Sequence, residues 1–230
     1  QLGRVLAAFD DLDLWQDTAI VLTTDHGFLL GEHDWWAKNR MPFYNEVAHI
    51  PLMIYHPVLH QDAGCRIVAL TQTTDLMPTF LEFHDLPVGR NVTGQSLLPL
   101  LTGQVEKIRQ IALYGIFGGA INATDGRYTY FRYPAEMDDK DLFEYTLMPM
   151  HNRSLFEVRE LTTAELYRGF SFTKGAPVLQ IPALKDAKRS PRQGGCAQTQ
   201  TSLDDVQADP RQNRPFRDHE VEAHLMESMR

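Results

Sequence analysis

The segment between Thr24 and Pro51 contains residue types at a spacing that suits metal and anion chemistry. Asp25 and His26 are adjacent, and they offer a carboxylate oxygen and an imidazole nitrogen, which both bind divalent cations. Lys38 follows twelve positions after His26 and offers an ammonium group. A cation and a lysine together would supply the converging positive charge that a tetrahedral oxyanion requires. The segment therefore predicts a site for a cation and an oxyanion at Asp25, His26 and Lys38.

Each of these residues also has an ordinary structural interpretation. Asp25 could cap a loop, and His26 could be a polar residue at the end of a strand. Lys38 could extend over the surface, while the neighbouring Trp35 and Trp36 pack in the core. On residue type alone these structural roles are the more frequent ones, so the chemical interpretation depends on the rest of the chain.

The elements predicted before this segment are those of an α/β fold. The chain opens with an amphipathic helix, because Leu2, Val5, Leu6 and Phe9 fall at helical spacing. Residues 18–24 form a short run rich in β-branched side chains, typical of a strand that is buried on both faces of a parallel sheet. Asp25 follows at the carboxyl end of that strand, where open α/β sheets bind ligands. Both side chains can reach one ion only if the backbone turns after the strand. Gly27 adopts such a turn at little conformational cost.

The later elements change in character after about residue 111. The elements predicted along the rest of the chain are a strand over 50–55, a helix from Leu76 with Asp75 as N-cap, strands over 114–117 and 128–133 with a hairpin turn at 124–127, a further strand over 155–158, a polar loop or linker over 183–217 and a helix over 220–229. We therefore expect two units, an α/β portion over residues 1–110 and a small antiparallel β subdomain over 111–230.

Composition narrows the classes of protein to which the chain can belong. The 230 residues carry a formal net charge of −8, with 22 basic against 30 acidic residues, and 43% are hydrophobic. These values exclude a largely disordered chain, a collagen-like fibre and a coiled coil. No apolar run approaches the roughly 18 residues of a membrane span, and the acidic balance disfavours a nucleic-acid partner. Cys65 and Cys196 form neither a metal-binding spacing nor a disulfide framework, and the sequence leaves the location of the protein undecided.

The order of motifs along the chain resembles that of the type I sulfatases of the alkaline-phosphatase superfamily. The matching motifs are Asp25-His26-Gly27, Gly31-Glu32-His33, Lys38, Ile50-Pro51-Leu52, the T-D-x-x-P-T pattern at 74–79, the G-x-S-L-x-P-L-L pattern at 94–101 and Asp209-Pro210. The wording of residues 32–38 is especially similar to the iduronate-sulfatase and choline-sulfatase branches. Because the motifs occur in the family's order over nearly the whole chain, the resemblance is specific.

This resemblance implies a fold, a metal and a set of site residues. It implies the C-terminal portion of an alkaline-phosphatase-like α/β sandwich, with a smaller antiparallel subdomain. Asp25 and His26 match two ligands of a divalent metal, normally Ca²⁺, and Lys38 matches the catalytic lysine that contacts the sulfate. Three residues are weaker candidates for substrate binding: His33, Arg40 and Tyr44. For His33 we favour a structural role, in which its side chain holds the loop in place. We expect the substrate to be a sulfated small molecule or sugar.

The family's nucleophile motif is not found in this sequence. In the sulfatases a Cys or Ser in C/S-x-P-x-R is oxidised to formylglycine, but Cys65 and Cys196 are not followed by that pattern, and Ser190-Pro191-Arg192 has the wrong spacing. In the family the motif and the remaining metal ligands precede D-H-G. We therefore expect this chain to be the C-terminal half of a sulfatase, to be inactive alone and to self-associate through an exposed sheet edge.

Two alternatives remain open at this stage. The first is a phosphonate or phosphodiester hydrolase of the same superfamily, which shares the D-H-G and lysine pattern and would use Mn²⁺ or Zn²⁺. The second is a non-catalytic protein that kept the fold as a metal-binding module or scaffold.

Overall fold

A computed structural model describes residues 1–38, 42–59, 64–116, 120–133, 143–148, 150–151, 154–182 and 200–229 of the chain. Its α-helices are α1 (Leu2–Asp11), α2 (Asn45–Ala48), α3 (Leu76–Phe83), α4 (Leu98–Leu101), α5 (Val158–Leu161) and α6 (His219–Glu227). Its strands are β1 (Ile20–Thr23), β2 (Leu29–Leu30), β3 (Trp36–Ala37), β4 (Leu52–Tyr55), β5 (Ala112–Gly115), β6 (Ile121–Thr124), β7 (Tyr128–Arg132), β8 (Phe143–Thr146), β9 (Glu165–Tyr167), β10 (Val178–Pro182) and β11 (Ser202–Asp205).

The strands form several small antiparallel sheets. Two sheets have two strands each, β1 with β4 and β2 with β3. A three-stranded sheet has the order β8-β10-β9, and a four-stranded sheet has the order β11-β7-β6-β5. The β6–β7 hairpin confirms the turn predicted at 124–127, since Thr124 pairs with Thr129 and the Asp125 carboxylate accepts from the backbone of Arg127 and Tyr128.

The sequence pattern predicts that the first strand lies in a parallel sheet, and this prediction is wrong for its pairing with β4. Residues 18–24 do contain a strand, β1, but it runs antiparallel to β4, with Ile20 opposite Tyr55 and Thr23 opposite Leu52. The side chains of β1 are half-buried rather than buried. An unbroken apolar run shows that both faces of a strand can be covered, but it carries no information on the direction of the neighbouring strand.

The main core lies on one face of the four-stranded sheet. Ala123, Tyr130 and Leu203 project from adjacent strands and pack against Leu225 of α6, all at most 4% exposed. Helix α6 begins at an Asp218 N-cap, whose carboxylate accepts from the backbone N–H groups of residues 220 and 221. The predicted terminal helix is thereby confirmed, and it closes this face of the sheet.

Two elements predicted along the second half of the chain differ from the structure. Part of the expected loop at 183–217 is strand β11, which has Leu203 as its single large apolar residue and therefore shows no strand pattern in the sequence. The strand expected at 155–158 is instead an isolated bridge at Leu155 followed by α5, because Glu157 and Glu160 form a reciprocal capping box that begins a helix. Residues 183–199 lie outside the described residues.

None of the helices in the described part of the chain is long and apolar enough to cross a membrane.

Candidate functional site

A short β-hairpin brings Lys38 back to His26. Strands β2 and β3 pair with Leu29 opposite Ala37 and Leu30 opposite Trp36, so the residue after β3 returns to the segment before β2. There the Lys38 ammonium contacts Nε2 of His26. The structure thus gathers the candidate metal ligands Asp25 and His26 and the candidate catalytic Lys38 into one cluster.

The turn of this hairpin has a strained backbone. His33, Asp34 and Ala37 have φ values of 55°, 60° and 87°, in the left-handed region that non-glycine residues seldom adopt. The carboxylate of Glu32 accepts a hydrogen bond of 2.6 Å from the backbone of Leu30, which ties the turn to β2. Strain of this kind, about 1–3 kcal/mol per residue, is concentrated at functional sites in proteins. Here it lies in the segment that ends at Lys38.

Asp25 and His26 are placed as two neighbouring ligands of one ion would be. The distance from Asp25 Oδ2 to His26 Nε2 is 3.2 Å. Two ligands at right angles, each about 2.4 Å from a cation, would lie about 3.4 Å apart. His26 Nδ1 lies 2.8 Å from the carbonyl oxygen of Gly27, and a proton on this nitrogen would leave the Nε2 lone pair to coordinate. The pair therefore fits part of a metal site.

Further carboxylate, imidazole or thiolate ligands do not join this pair in the described part of the chain. Within that part no group of three or more His, Cys, Asp or Glu side chains is placed to hold a metal ion. Ca²⁺ prefers about six to eight oxygen ligands, so two ligands alone would bind it weakly.

The carboxyl of Asp25 is exposed and ionised. Partial desolvation acts to raise its pKa, but the neighbouring His26 and hydrogen bonds from the backbone and Thr24 together lower the pKa below its usual value of 3.8. The Asp25 carboxylate is therefore negative across the physiological range, which is the form that a metal ligand requires.

Gly27 is needed for close packing rather than for a turn. A Cβ at this position would lie 1.8 Å from the carbonyl oxygen of Glu46, and the Gly27 amide donates to the carbonyl of Val47 over 2.8 Å. Because the backbone of α2 occupies this space, the D-H-G segment and α2 are held against each other.

Two of the weaker substrate-binding candidates, His33 and Tyr44, are in contact with each other. His33 and Tyr44 stack with ring centroids 3.6 Å apart, and His33 Nε2 lies 3.4 Å from Glu46 Oε2. The His33 side chain is only 7% exposed, so it holds the hairpin turn against Tyr44 and α2. Burial and the nearby Asp204 and Glu46 carboxylates raise the pKa of Tyr44. Arg40 lies outside the described residues.

A cavity of about 430 Å³ adjoins His33 and Tyr44. Its opposite wall comes from the C-terminal part of the chain and includes Asp204 and Gln212, which the sequence interpretation did not single out. Asp204 is 3% exposed, and its burial together with the negative charge of Asp209 raises its pKa to about 7. Its strand carries too few apolar residues to be recognised in the sequence, so no pattern could have indicated that Asp204 is buried.

Gln212 joins the two walls of the cavity. Its Oε1 accepts a hydrogen bond of 2.7 Å from the backbone of Asn45, and the residue is 4% exposed. The only signal near it in the sequence is the Asp209-Pro210 turn, where the Asp209 carboxylate accepts from the backbone of residues 213 and 214 and shapes the loop around Gln212.

Comparisons with known proteins agree on one family. The sequence model for the family described as "N-sulphoglucosamine sulphohydrolase, C-terminal" matches residues 31–166, more than half of the chain. Arylsulfatase K of Gallus gallus is 36% identical over 105 residues, which cover 46% of this chain and 19% of that protein. N-acetylglucosamine-6-O-sulfatase of Bacteroides thetaiotaomicron is 34% identical over 137 residues, which cover 59% of this chain and 22% of that protein. The chain therefore spans about a fifth of the length of these relatives.

Solved structures share the fold of almost the whole chain. One is a protein in complex with its substrate D-glucosamine-2-N,6-O-disulfate, at a TM-score of 0.62 and 20% identity, covering 99% of this chain and 36% of that one. Another is phosphonate monoester hydrolase of Agrobacterium radiobacter, at a TM-score of 0.60 and 20% identity, covering 99% of this chain and 37% of that one. The fold is thus a mixed α/β arrangement that corresponds to about a third of these enzymes. By its family match, the chain belongs to the sulfatase family of the alkaline-phosphatase superfamily, as an N-sulphoglucosamine sulphohydrolase C-terminal region.

Proposed function

We propose that this chain forms one side of the active site of a sulfuric ester hydrolase. The observation that carries the proposal is the cluster in which the Lys38 ammonium contacts His26 Nε2, 3.2 Å from the carboxylate of Asp25. The family match and the sulfatase relatives support a sulfate ester as the reacting group.

Asp25 and His26 would hold a divalent cation, Ca²⁺ in our proposal, which supplies positive charge to the sulfate group when it is bound. Lys38 and a metal ion both need the lone pair of His26 Nε2, and that nitrogen has only one. With a cation held by His26 Nε2, the Lys38 ammonium would be available to donate to the oxygens of the substrate. Charge that develops on the leaving oxygen is stabilised by the same ammonium.

We do not place the nucleophile of the reaction in this chain. Because no C/S-x-P-x-R motif occurs in the sequence, we propose that a formylglycine nucleophile and the remaining metal ligands belong to another part of the full-length protein. The 230-residue chain alone would then release no sulfate, although it carries the charge-stabilising residues.

For the substrate we propose a sulfated sugar. One relative is named N-acetylglucosamine-6-O-sulfatase, and one structural neighbour was solved with a disulfated glucosamine.

A second candidate function is hydrolysis of phosphonate or phosphate diesters, with Mn²⁺ or Zn²⁺ as the metal. The similarity to phosphonate monoester hydrolase, with a TM-score of 0.60 over 99% of the chain, favours keeping this alternative. A metal and a lysine would stabilise a phosphorus oxyanion by the same electrostatics.

The test is turnover by the full-length protein on three esters: N-acetylglucosamine 6-sulfate, 4-nitrophenyl sulfate and 4-nitrophenyl phenylphosphonate. We expect release of sulfate from the first two and little phosphonate hydrolysis. Lys38→Ala should lower kcat for the sulfate esters at least about a hundredfold, as loss of a donor to a developing charge does elsewhere. Lys174→Ala removes an exposed ammonium elsewhere in the chain and should leave kcat unchanged. Phosphonate turnover that exceeds sulfate turnover would select the second candidate, and full activity in Lys38→Ala would refute both.

A further inference from the structure

The cavity beside the candidate site contains polar groups that the proposed chemistry does not use. It adjoins the hairpin and α2, but its polar wall comes from the C-terminal part of the chain. Its lining combines aromatic rings with polar side chains: Tyr44, Tyr133, Phe216, Asp204, Gln212 and Arg217. A mixed lining of this kind is typical of pockets that bind small molecules with a few directed hydrogen bonds.

The cavity and the candidate metal site share the same structural elements. His33 lines the cavity and belongs to the hairpin that returns Lys38 to His26. Tyr44, another lining residue, directly precedes α2, which packs against Gly27. The cavity is therefore connected to the segment that positions Lys38 through the hairpin turn and α2.

Asp204 lies in the wall of the cavity as a buried carboxyl to which the described part of the chain supplies no hydrogen-bond donor. It is 3% exposed, and no described residue donates a hydrogen bond to its carboxyl. Burial of a carboxyl without a partner is costly, and native structures seldom retain such a group without a functional reason. A ligand with hydroxyl groups would supply the donors that Asp204 lacks.

Its neighbours on the sheet are polar as well. Asp204 pairs with Thr129 in the β11–β7 register, and Ser202 lies on the same face two residues earlier. Asn122 projects from the same face through its pairing with Phe131 and is fully buried. This face is thus more polar than the α6 face, where Ala123, Tyr130 and Leu203 form the core.

Gln212 adds a fixed amide to the same wall. Its Oε1 is occupied by the backbone of Asn45, whereas its Nε2 is buried and has no hydrogen-bond partner among the described residues. The side chain is therefore held in one orientation across the cavity.

We propose that this cavity binds the hydroxyl-bearing ring of the ester substrate, with Asp204 accepting hydrogen bonds from the ring hydroxyls. The proposal rests on the proposed function, because the ring is the alcohol part of the sulfate ester. The rings of Tyr44 and Tyr133 pack against its apolar face, as aromatic side chains do in amphipathic pockets. A site built to pair with hydroxyls selects against an alcohol that lacks them, so Asp204 determines specificity rather than catalysing the reaction.

The test compares two sulfate esters in the full-length protein. N-acetylglucosamine 6-sulfate has ring hydroxyls, and 4-nitrophenyl sulfate has none. Asp204→Asn keeps the size of the side chain but removes its charge. We expect KM for the sugar sulfate to rise about tenfold with little change in kcat, as for loss of a hydrogen bond to a charged group, while both constants for the aryl sulfate stay unchanged. Glu165→Gln, at an exposed carboxylate of β9 outside the cavity, is the matched control and should change nothing.

The possible results separate the two proposals. A sugar-sulfate KM that stays at the wild-type value in Asp204→Asn overturns the role of Asp204 while sulfatase activity stands. An equal loss on both esters, with an unchanged melting temperature, also overturns it, because Asp204 would then act at the reacting group. If the wild-type protein hydrolyses neither sulfate ester, the proposed function fails and this inference fails with it.

Discussion

In the proposed function, Nε2 of His26 binds the cation, whereas in the structure the same nitrogen contacts the Lys38 ammonium. Nδ1 of His26 is directed to the carbonyl of Gly27, and its Nε2 faces both the Lys38 ammonium and the Asp25 carboxylate. Asp25 contributes a carboxylate oxygen as the second candidate metal ligand, and it is exposed, so it is available to an ion from solvent.

We predict that Asp25→Asn weakens the affinity of the full-length protein for Ca²⁺ by at least about tenfold, because a neutral amide oxygen replaces a charged ligand. Isothermal titration calorimetry with CaCl₂ measures this effect. Asp11→Asn, which removes an exposed carboxylate at the end of α1, should leave the affinity unchanged. Equal affinities for the wild type and Asp25→Asn would show that Asp25 is not a ligand.

The raised pKa of Asp204 predicts a pH dependence of stability. Burial and Asp209 raise the pKa from 3.8 to about 7, so between these values the folded protein holds a proton that the unfolded chain has released. The stabilisation is complete below pH 4 and is lost as the pH rises through 7. The full shift corresponds to about 4 kcal/mol, since one pKa unit is worth about 1.4 kcal/mol.

Asp204→Asn removes this ionisation and should therefore be more stable than the wild type at pH 8. Urea unfolding at pH 5 and pH 8 measures the difference, which should be larger at pH 8. A wild-type protein whose stability does not change relative to Asp204→Asn between these pH values would contradict the assignment.

At the scale of elements, the contact between the D-H-G segment and α2 determines where the candidate ligands lie. Gly27 permits the backbone of α2 to approach, and Val47 of α2 packs with Leu29 of β2 in a small cluster that also includes Trp35. This cluster holds the base of the hairpin that positions Lys38.

We predict that Gly27→Ala destabilises the protein by about 2–4 kcal/mol, because the new Cβ would overlap the Glu46 carbonyl and the backbone must shift. Chemical denaturation gives the free energy of unfolding. Gly3→Ala is the matched control: nothing lies within 4 Å of a Cβ there, and in helix α1 the change should stabilise by about 0.5–1 kcal/mol. Similar effects of the two substitutions would refute the packing role of Gly27.

Several elements could be predicted because their residues follow a clear period. Helices α1 and α6 and strand β7 are examples, since apolar side chains recur at regular positions in each. Hairpin β2–β3 could not be predicted in this way, since two residues per strand carry no period. The grouping of Asp25, His26 and Lys38 followed from the order of motifs. Asp204 could not be predicted as part of the cavity, because long-range packing brings it there.

For the molecule as a whole, many apolar side chains remain exposed. On α1 only Phe9 is buried, while Leu2, Val5 and Leu6 are 42%, 49% and 36% exposed along one stripe of the helix. Large contiguous apolar surfaces on a protein usually mark an interface.

We predict that the 230-residue chain self-associates in solution. Sedimentation velocity should then show species larger than the 26.3 kDa monomer at micromolar concentration. Val5→Lys places a charge in the apolar stripe of α1 and should shift the distribution towards the monomer, whereas Arg4→Lys on the same helix keeps the charge and should not. A wild-type chain that is monomeric throughout this concentration range would refute the prediction.

The hydrogen bond between Gln212 and Asn45 has a consequence for the order in which the molecule forms. It joins two residues 167 positions apart, so a very long loop must close before the bond can exist. During synthesis from the N-terminus, the D-H-G segment, the hairpin and α2 all emerge well before the residue that fastens them to the C-terminal wall. The cavity is therefore among the last features to form. A nascent chain that ends before Gln212 contains Asp204 but lacks the hydrogen bond that fixes this wall to Asn45.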